Sequence, residues 1–150
     1  MILDERNEFC DATALNTGAD GSYLIGDVID LGAVQRDIGN GEQLYLVIQV
    51  DTTATSGGAA TGQFSLVSDA QAAIATDGSA SVHFQTAAIP VATLAAGYNV
   101  ASVALPMEGK AYERYLGILQ TTGTAAFTAG KVNAFLTPDV SKIKAYADAL

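Results

Sequence analysis

Chemistry on this chain would have to run through one histidine, one cysteine and a scatter of carboxylates. His83 is the sole candidate base for a Ser-His-Asp or Cys-His arrangement, and it sits in Val82-His83-Phe84-Gln85. Nucleophilic catalysis needs a base within reach of a hydroxyl or thiol and a third group that orients the base. Nothing local supplies either partner. Alternation with Val82 and Phe84 predicts a strand histidine that faces solvent beside Gln85. A carboxylate pair for glycoside hydrolysis would be drawn from Asp27, Asp30, Asp51, Asp69, Glu108 and Glu113, and no spacing favours any two of them. The expectation is a protein that is not an enzyme.

Metal and phosphate sites find equally little. One histidine and one cysteine cannot furnish the nitrogen and sulfur ligands of a zinc site. Cys10 has no partner for a disulfide and no CxxC spacing, and reads as a small buried hydrophobe. Calcium needs only oxygens, and Asn16-x-Gly18-x-Asp20-Gly21 followed by Asp27 lines up loosely with an EF-hand loop. The third ligand position is Gly18, the last is Asp rather than Glu, and Tyr23-Leu24-Ile25 reads as strand, so a glycine turn before a strand explains the segment. Gly39-Asn40-Gly41 leads into a strand, and Gly57-Gly58-Ala59-Ala60-Thr61-Gly62 lacks the Lys-Ser/Thr of a phosphate loop. No cofactor is expected.

Charge narrows the partners. Sixteen acidic against seven basic residues give a net charge of −9, which opposes a role in tracking nucleic acid, where binding starts from a basic patch. Lys142 and Lys144 are the only close basic pair and read as a solvated tail. The opening Met1-Ile2-Leu3-Asp4-Glu5-Arg6 has no basic region followed by an apolar run of about 7–15 residues, as a signal peptide requires. No apolar stretch approaches the ~20 residues of a membrane-spanning helix. Synthesis in a cytoplasm is therefore expected, with no membrane partner. Charged residues are only 15% of the chain, so Thr, Ser, Gln and Ala must make up its solvated faces; such a surface meets other subunits with little charge to desolvate.

The elements that would position any site are short strands. Leu44 to Val50 is apolar at nearly every position and predicts a strand covered on both faces. Tyr23 to Leu31, Gln63 to Ser68, Val82 to Thr86, Tyr98 to Leu105, Tyr115 to Thr121 and Lys131 to Thr137 are further strands. In the last, Val132, Ala134 and Leu136 share one face, with Phe135 an apolar exception on the other. A change of phase in Tyr98 to Leu105 calls for a bulge near Ala101-Ser102. Asn40-Gly41, Gly57-Gly58 and Asp77-Gly78 mark turns, and Ile89-Pro90 belongs at a strand end or a sheet edge. Ser68 to Thr76 could form two helical turns behind a Ser68 or Asp69 cap, and the tail from Ser141 has helical spacing. At 150 residues the chain fits one all-β domain, an antiparallel two-sheet sandwich of jelly-roll type with about eight strands and little helix.

The two ends carry spaced apolar residues: Ile2, Leu3 and Phe9 within residues 1–15, and Ile143, Tyr146 and Leu150 within residues 139–150. Such segments either fold back on their own sandwich or act as arms that dock on a partner. Several further segments have a specific look: Met1-Ile2-Leu3-Asp4, Val28-Ile29-Asp30-Leu31-Gly32, Arg36-Asp37-Ile38-Gly39-Asn40-Gly41-Glu42, Ala88-Ile89-Pro90-Val91-Ala92-Thr93-Leu94, Glu113-Arg114-Tyr115-Leu116 and Phe127-Thr128-Ala129-Gly130-Lys131-Val132. Together they resemble the capsid cement proteins of tailed bacteriophages, the group that includes a Bordetella phage cement protein. Residues 52–81 and the tail after Asp139 resemble the group least.

The resemblance implies a jelly-roll subunit on the outside of an icosahedral shell, forming small oligomers that clamp adjacent major capsid proteins. It brings no catalytic residues. A homo-oligomer is expected, a dimer in preference to a trimer. The alternative is a β-sandwich that recognises a receptor or carbohydrate at a phage tail or surface, with the 6 tyrosines as stacking platforms; the absence of Trp weakens it. A hydrolase on a jelly-roll scaffold would need the carboxylate pair that the spacing does not supply.

Overall fold

Short apolar runs separated by glycine and polar turns build two antiparallel sheets that bury their apolar faces against each other. The computed structural model describes residues 4–33 and 42–140. Nine strands run through them: β1 (Glu8–Ala14), β2 (Gly21–Asp30), β3 (Tyr45–Ser56), β4 (Thr61–Asp69), β5 (Ser81–Gln85), β6 (Ile89–Pro90), β7 (Asn99–Ala104), β8 (Tyr115–Gly123) and β9 (Phe127–Thr137). The first sheet has the order β1-β9-β3-β7 and the second β2-β8-β4-β5, with β6 a two-residue addition beside β4. First pairs with last, second with second-last, and so inward, which is the double Greek key of a jelly roll. The eight-strand expectation therefore holds, with β6 at the edge where Ile89-Pro90 belongs. The expected strands Tyr23 to Leu31, Gln63 to Ser68, Val82 to Thr86, Tyr98 to Leu105, Tyr115 to Thr121 and Lys131 to Thr137 correspond to β2, β4, β5, β7, β8 and β9.

The core lies between the sheets. Leu46, Ile48 and Val50 of β3 and Val132, Ala134 and Leu136 of β9 meet Phe64 and Leu66 of β4 and Leu116 and Ile118 of β8. Each large side chain so buried contributes about 1.5–3 kcal/mol. Val47 and Phe135, which point away from this core, are buried as well, so β3 is covered on both faces as its unbroken apolar run requires.

A second, smaller cluster lies on the outer face of the second sheet. There Ile74 and Ala80 of the β4–β5 connection pack on Val67 and Leu119, beside Leu24 and Val28. This connection replaces the helix expected over Ser68 to Thr76: Ser68 and Asp69 end β4, and residues 70–80 form bends and irregular backbone. Asp69 accepts hydrogen bonds from the Gln71 and Ala75 N–H groups, which ties the strap down in a non-helical path, and Ile74 anchors it to the sheet. Helix in the described residues is limited to the short 3₁₀ turns Glu5–Asn7 and Val91–Thr93. The helical spacing from Ser141 and the Asn40-Gly41 turn lie outside the described residues.

Each of the four long edge strands is irregular. In β1 the pairing with β9 shifts twice, at Glu8/Cys10 and Cys10/Thr13, around Ala12 with φ 44°. In β2 the five residues Ile25 to Ile29 span the three from Ile118 to Leu116. Gly26 makes that bulge possible, because its φ is 69° and a Cβ would overlap the Phe9 carbonyl oxygen and Cys10 Sγ. β5 carries His83 as an extra residue between Val82 and Phe84, and β7 carries Val100 between Asn99 and Ala101. The β7 bulge falls one residue from the position the phase change indicates. In the central β4·β8 pair, by contrast, nine consecutive pairs run from Thr61–Gly123 to Asp69–Tyr115 without a shift. Bulged edges are poor templates for adding a strand from another chain.

Candidate functional site

The two ends of the second sheet differ. At one end Gln120, fully buried, accepts a hydrogen bond from the Asn16 N–H (2.8 Å) and donates to the Asn16 carbonyl (3.0 Å), which closes the β1–β2 turn over the core. In that turn Asn16 Oδ1 accepts from the Gly18 N–H, and the Tyr23 hydroxyl donates to the Ala19 carbonyl. The calcium-like spacing is thus a self-bonded turn running into strand. Among the described residues no group of three or more His, Cys, Asp or Glu side chains could hold a metal ion.

The other end is open and polar. Tyr115, the first residue of β8, stands opposite both Asp30 at the end of β2 and Asp69 at the end of β4. Beyond them lies a cleft of about 300 Å3. Its walls are Leu31, Gly32 and Ala33 after β2, Ala70 after β4, and the segment Tyr112 to Arg114 that leads into β8. Arg114 holds Asp30 in a two-pronged ion pair, Nε to Oδ1 and Nη2 to Oδ2, both at 2.8 Å, while its guanidinium lies 4.9 Å from the centre of the Tyr115 ring. The Arg114 contact, reinforced by the Gly32 N–H, lowers the Asp30 pKa to about 2.

Behind the cleft wall sits a polar cluster that the strand pattern does not reveal. Ser68, with no exposed surface, places Oγ 2.7 Å from His83 Nε2 and accepts a hydrogen bond from the Glu113 N–H at 3.0 Å. The tautomer of His83 decides which member of the Ser68–His83 pair donates. The imidazole stacks on the Tyr112 ring with centroids 3.9 Å apart, and the Tyr112 hydroxyl donates to the Pro106 carbonyl. Glu113 Oε1 accepts from the Ser81 hydroxyl. Burial lowers the His83 pKa, the charge of Lys110 pushes the same way and Glu113 opposes, so the surroundings favour the neutral imidazole. Burial also pushes the Tyr112 pKa up to about 12.

His83 therefore corrects the solvent-facing expectation. Simple alternation fails because His83 is the bulged residue of β5, which turns its ring inward over β4. The Ser68–His83 contact has hydrogen-bond geometry, but Ser68 is sealed from solvent and, among the described residues, no carboxylate hydrogen-bonds the other ring nitrogen. What the cluster does is anchor the β7–β8 loop to the sheet.

The apolar residues expected to dock on a partner are distributed differently. Phe9 is 1% exposed and belongs to the inter-sheet core, with Cys10 and Leu15 beside it, so residues 8–14 are a sheet strand rather than a free arm. Burial also pushes the Cys10 thiol up to about 12, in keeping with a packing role. Ile2, Leu3, Ile143, Tyr146 and Leu150 lie outside the described residues. Among the described residues the exposed large hydrophobics are instead Met107 (63%), Val82 (43%) and Tyr98 (38%). Met107 stands in the β7–β8 loop; its signal in the sequence is an apolar residue isolated in Pro106-Met107-Glu108-Gly109-Lys110, where no strand pattern can bury it.

Among characterised proteins of the curated collections none matches the chain. A protein-family model, Bbp16, matches residues 9–136. The matched stretch opens in β1 and ends in β9, so it takes in the whole sandwich, the open cleft and the β7–β8 loop. With most of its length covered in this way, the chain belongs to the phage-related Bbp16 family.

Proposed function

We propose that this chain is a structural virion protein that sits on the outside of an icosahedral phage capsid and clamps neighbouring major capsid proteins. The observation that carries the proposal is the family match over residues 9–136, laid on a jelly roll whose strands all fall within or at the border of that span. Three physical features support it. A low-charge surface of Thr, Ser and Ala loses little on contact with other subunits. The net charge of −9 suits the outer surface of a shell better than the face that meets packaged DNA. The bulged edges direct contacts to faces and loops rather than to strand addition.

On this reading the protein has no turnover and takes no cofactor, and its partners are the major capsid protein and copies of itself. It is made in the host cytoplasm and ends on the virion surface. Clamping is multivalent: each copy grips its site weakly, and an oligomer that engages several sites at once gains its hold from effective concentration.

The test is co-sedimentation of the purified chain with shells of its phage that lack the cement layer. Saturable pelleting with mature shells, and none with unassembled capsid protein, is the expected result. A chain that stays in the supernatant at shell concentrations where the layer is normally complete would remove the proposal.

A further inference from the structure

We infer that Ser68 and His83 form an acid-sensitive latch: the Ser68 hydroxyl donates to His83 Nε2, and protonation of the ring releases the β7–β8 loop from the second sheet. The latch is independent of the capsid role and governs how the open end of the molecule is held.

Elimination fixes the direction of the Ser68–His83 hydrogen bond. Ser68 is fully buried, and among the described residues its Oγ has two hydrogen-bond neighbours, the Glu113 N–H at 3.0 Å and His83 Nε2 at 2.7 Å. A hydroxyl has one proton to give and two lone pairs to receive. The Glu113 N–H can only donate, so it takes a lone pair, and the Ser68 proton is left with Nε2 as its acceptor. An imidazole that accepts at Nε2 carries its proton on Nδ1 and is neutral. The sealed serine thus selects both the tautomer and the charge state of the ring.

Two holds on the loop pass through that ring. One runs from His83 through Ser68 Oγ to the Glu113 N–H. The other runs through the stack on Tyr112, with centroids 3.9 Å apart and planes 16° from parallel, to the Pro106 carbonyl. An imidazolium can still stack on Tyr112. It cannot accept from Ser68, because Nε2 then carries a proton of its own. Oγ would face two donors while its own proton had no acceptor, a state that a buried hydroxyl escapes by meeting water. Ser68 has no exposed surface, so water reaches it when β5 or the loop moves away.

The groups around the ring agree with this arrangement. Burial disfavours a charge on it most strongly, and Lys110 of the loop repels one; Glu113 attracts it, but its carboxylate already accepts from the Ser81 hydroxyl. The Tyr112 hydroxyl, its pKa pushed up to about 12, stays neutral. On β4 the one ionisable group, Asp69, is turned to the Gln71 and Ala75 N–H groups, and β5 holds none besides His83. The folded pKa of His83 therefore lies below the ordinary 6.5. As pH falls the unfolded chain takes up the proton first, so the hold is complete above pH ~6.5 and fades below it.

Nitrogen NMR on the full chain tests the inference, and since His83 is the sole histidine its ring signals are unambiguous. The expected spectrum at pH ~8 is that of the Nδ1–H tautomer; the Nε2–H tautomer overturns the latch. Acidification to pH ~5 should titrate the ring with a midpoint below 6.5. Over the same range the exchange protection of the Glu113 amide should fall about tenfold or more relative to amides of β4 and β8. His83→Gln offers an oxygen acceptor that does not titrate, and in that variant Glu113 protection should stay level. Protection that is level in the parent chain, or that falls equally in His83→Gln, overturns the inference, as does a midpoint at or above 6.5. The tautomer and the midpoint are read on the parent chain, so the test holds even where the variant fails to fold.

Discussion

Strand β4 has a different neighbour on each side, and the contrast separates what alternation can specify from what it cannot. Towards β8 the register runs through nine pairs without interruption, and Phe64, Leu66, Leu116 and Ile118 all point into the inter-sheet core. Slipping that pair by one residue would turn every one of these side chains outward, so burial alone locks the register. Towards β5 the register breaks at His83, and what holds the pair is directional: the Ser68 hydroxyl between His83 and the Glu113 N–H, and Gln85 Nε2 donating to Ser65 Oγ at 3.2 Å. The central pair is a packing structure. The edge pair is a polar joint that fastens a loop, and the open cleft and the Met107 loop belong to the joint.

The largest effect should come from the packed side. Phe64 is fully buried, and Phe64→Ala is expected to cost about 3–5 kcal/mol, from lost transfer free energy and the cavity left behind. Urea midpoints measure it. A loss below about 1 kcal/mol would mean that the centre relaxes around the gap, and the contrast with the edge would disappear.

A smaller effect is expected at the joint. Ser68→Ala leaves the Glu113 N–H and His83 Nε2 without their shared partner, at a cost of about 1–3 kcal/mol for buried groups left unpaired. The same variant should speed amide exchange in residues 106–113, whose anchor it removes, and leave exchange in β4 and β8 little changed. Uniform acceleration through the sheet would show that joint and centre open as one unit.

How much of this was legible in the sequence follows the same division. Strands β3, β4, β8 and β9 could be read from apolar runs and period-two alternation because their register is regular where they face the core, and the jelly roll followed from a count of about eight strands in the whole chain. β1 was harder. Phe9 and Cys10 are neighbours yet both are buried, which two register shifts and the positive φ of Ala12 allow, so its acid-spaced apolar residues looked like an arm. The strap over residues 70–80 has a helix-forming composition, and only tertiary contacts, Asp69 on its N–H groups and Ile74 on the outer face, override it. His83 shows the limit most plainly. One extra residue in β5 reverses its side, and no residue type in Val82-His83-Phe84 announces the bulge. The cleft and its ion pair join segments more than 80 residues apart, a separation at which local patterns carry no information.

The smallest effect belongs to the rim of the open end, where Asp30 and Arg114 pair in the presence of solvent. Their side chains are 44% and 42% exposed, so the surrounding water screens the pair and its net contribution is small. It still has a pH signature. The Asp30 pKa in the folded chain, about 2, lies below the ordinary value near ~3.9. The unfolded chain therefore takes up the proton first as pH falls. The stabilisation is complete above pH ~4 and disappears as pH drops towards 2. Asp30→Asn keeps an oxygen to accept the Gly32 N–H but gives up the charge that Arg114 meets. The melting temperature of the variant should fall below that of the parent chain at pH 5, and the gap should close by pH 2. A gap of the same size at both values would assign the effect to the Gly32 turn rather than to the ion pair, and the rim would then be held, like the joint behind it, by neutral hydrogen bonds alone.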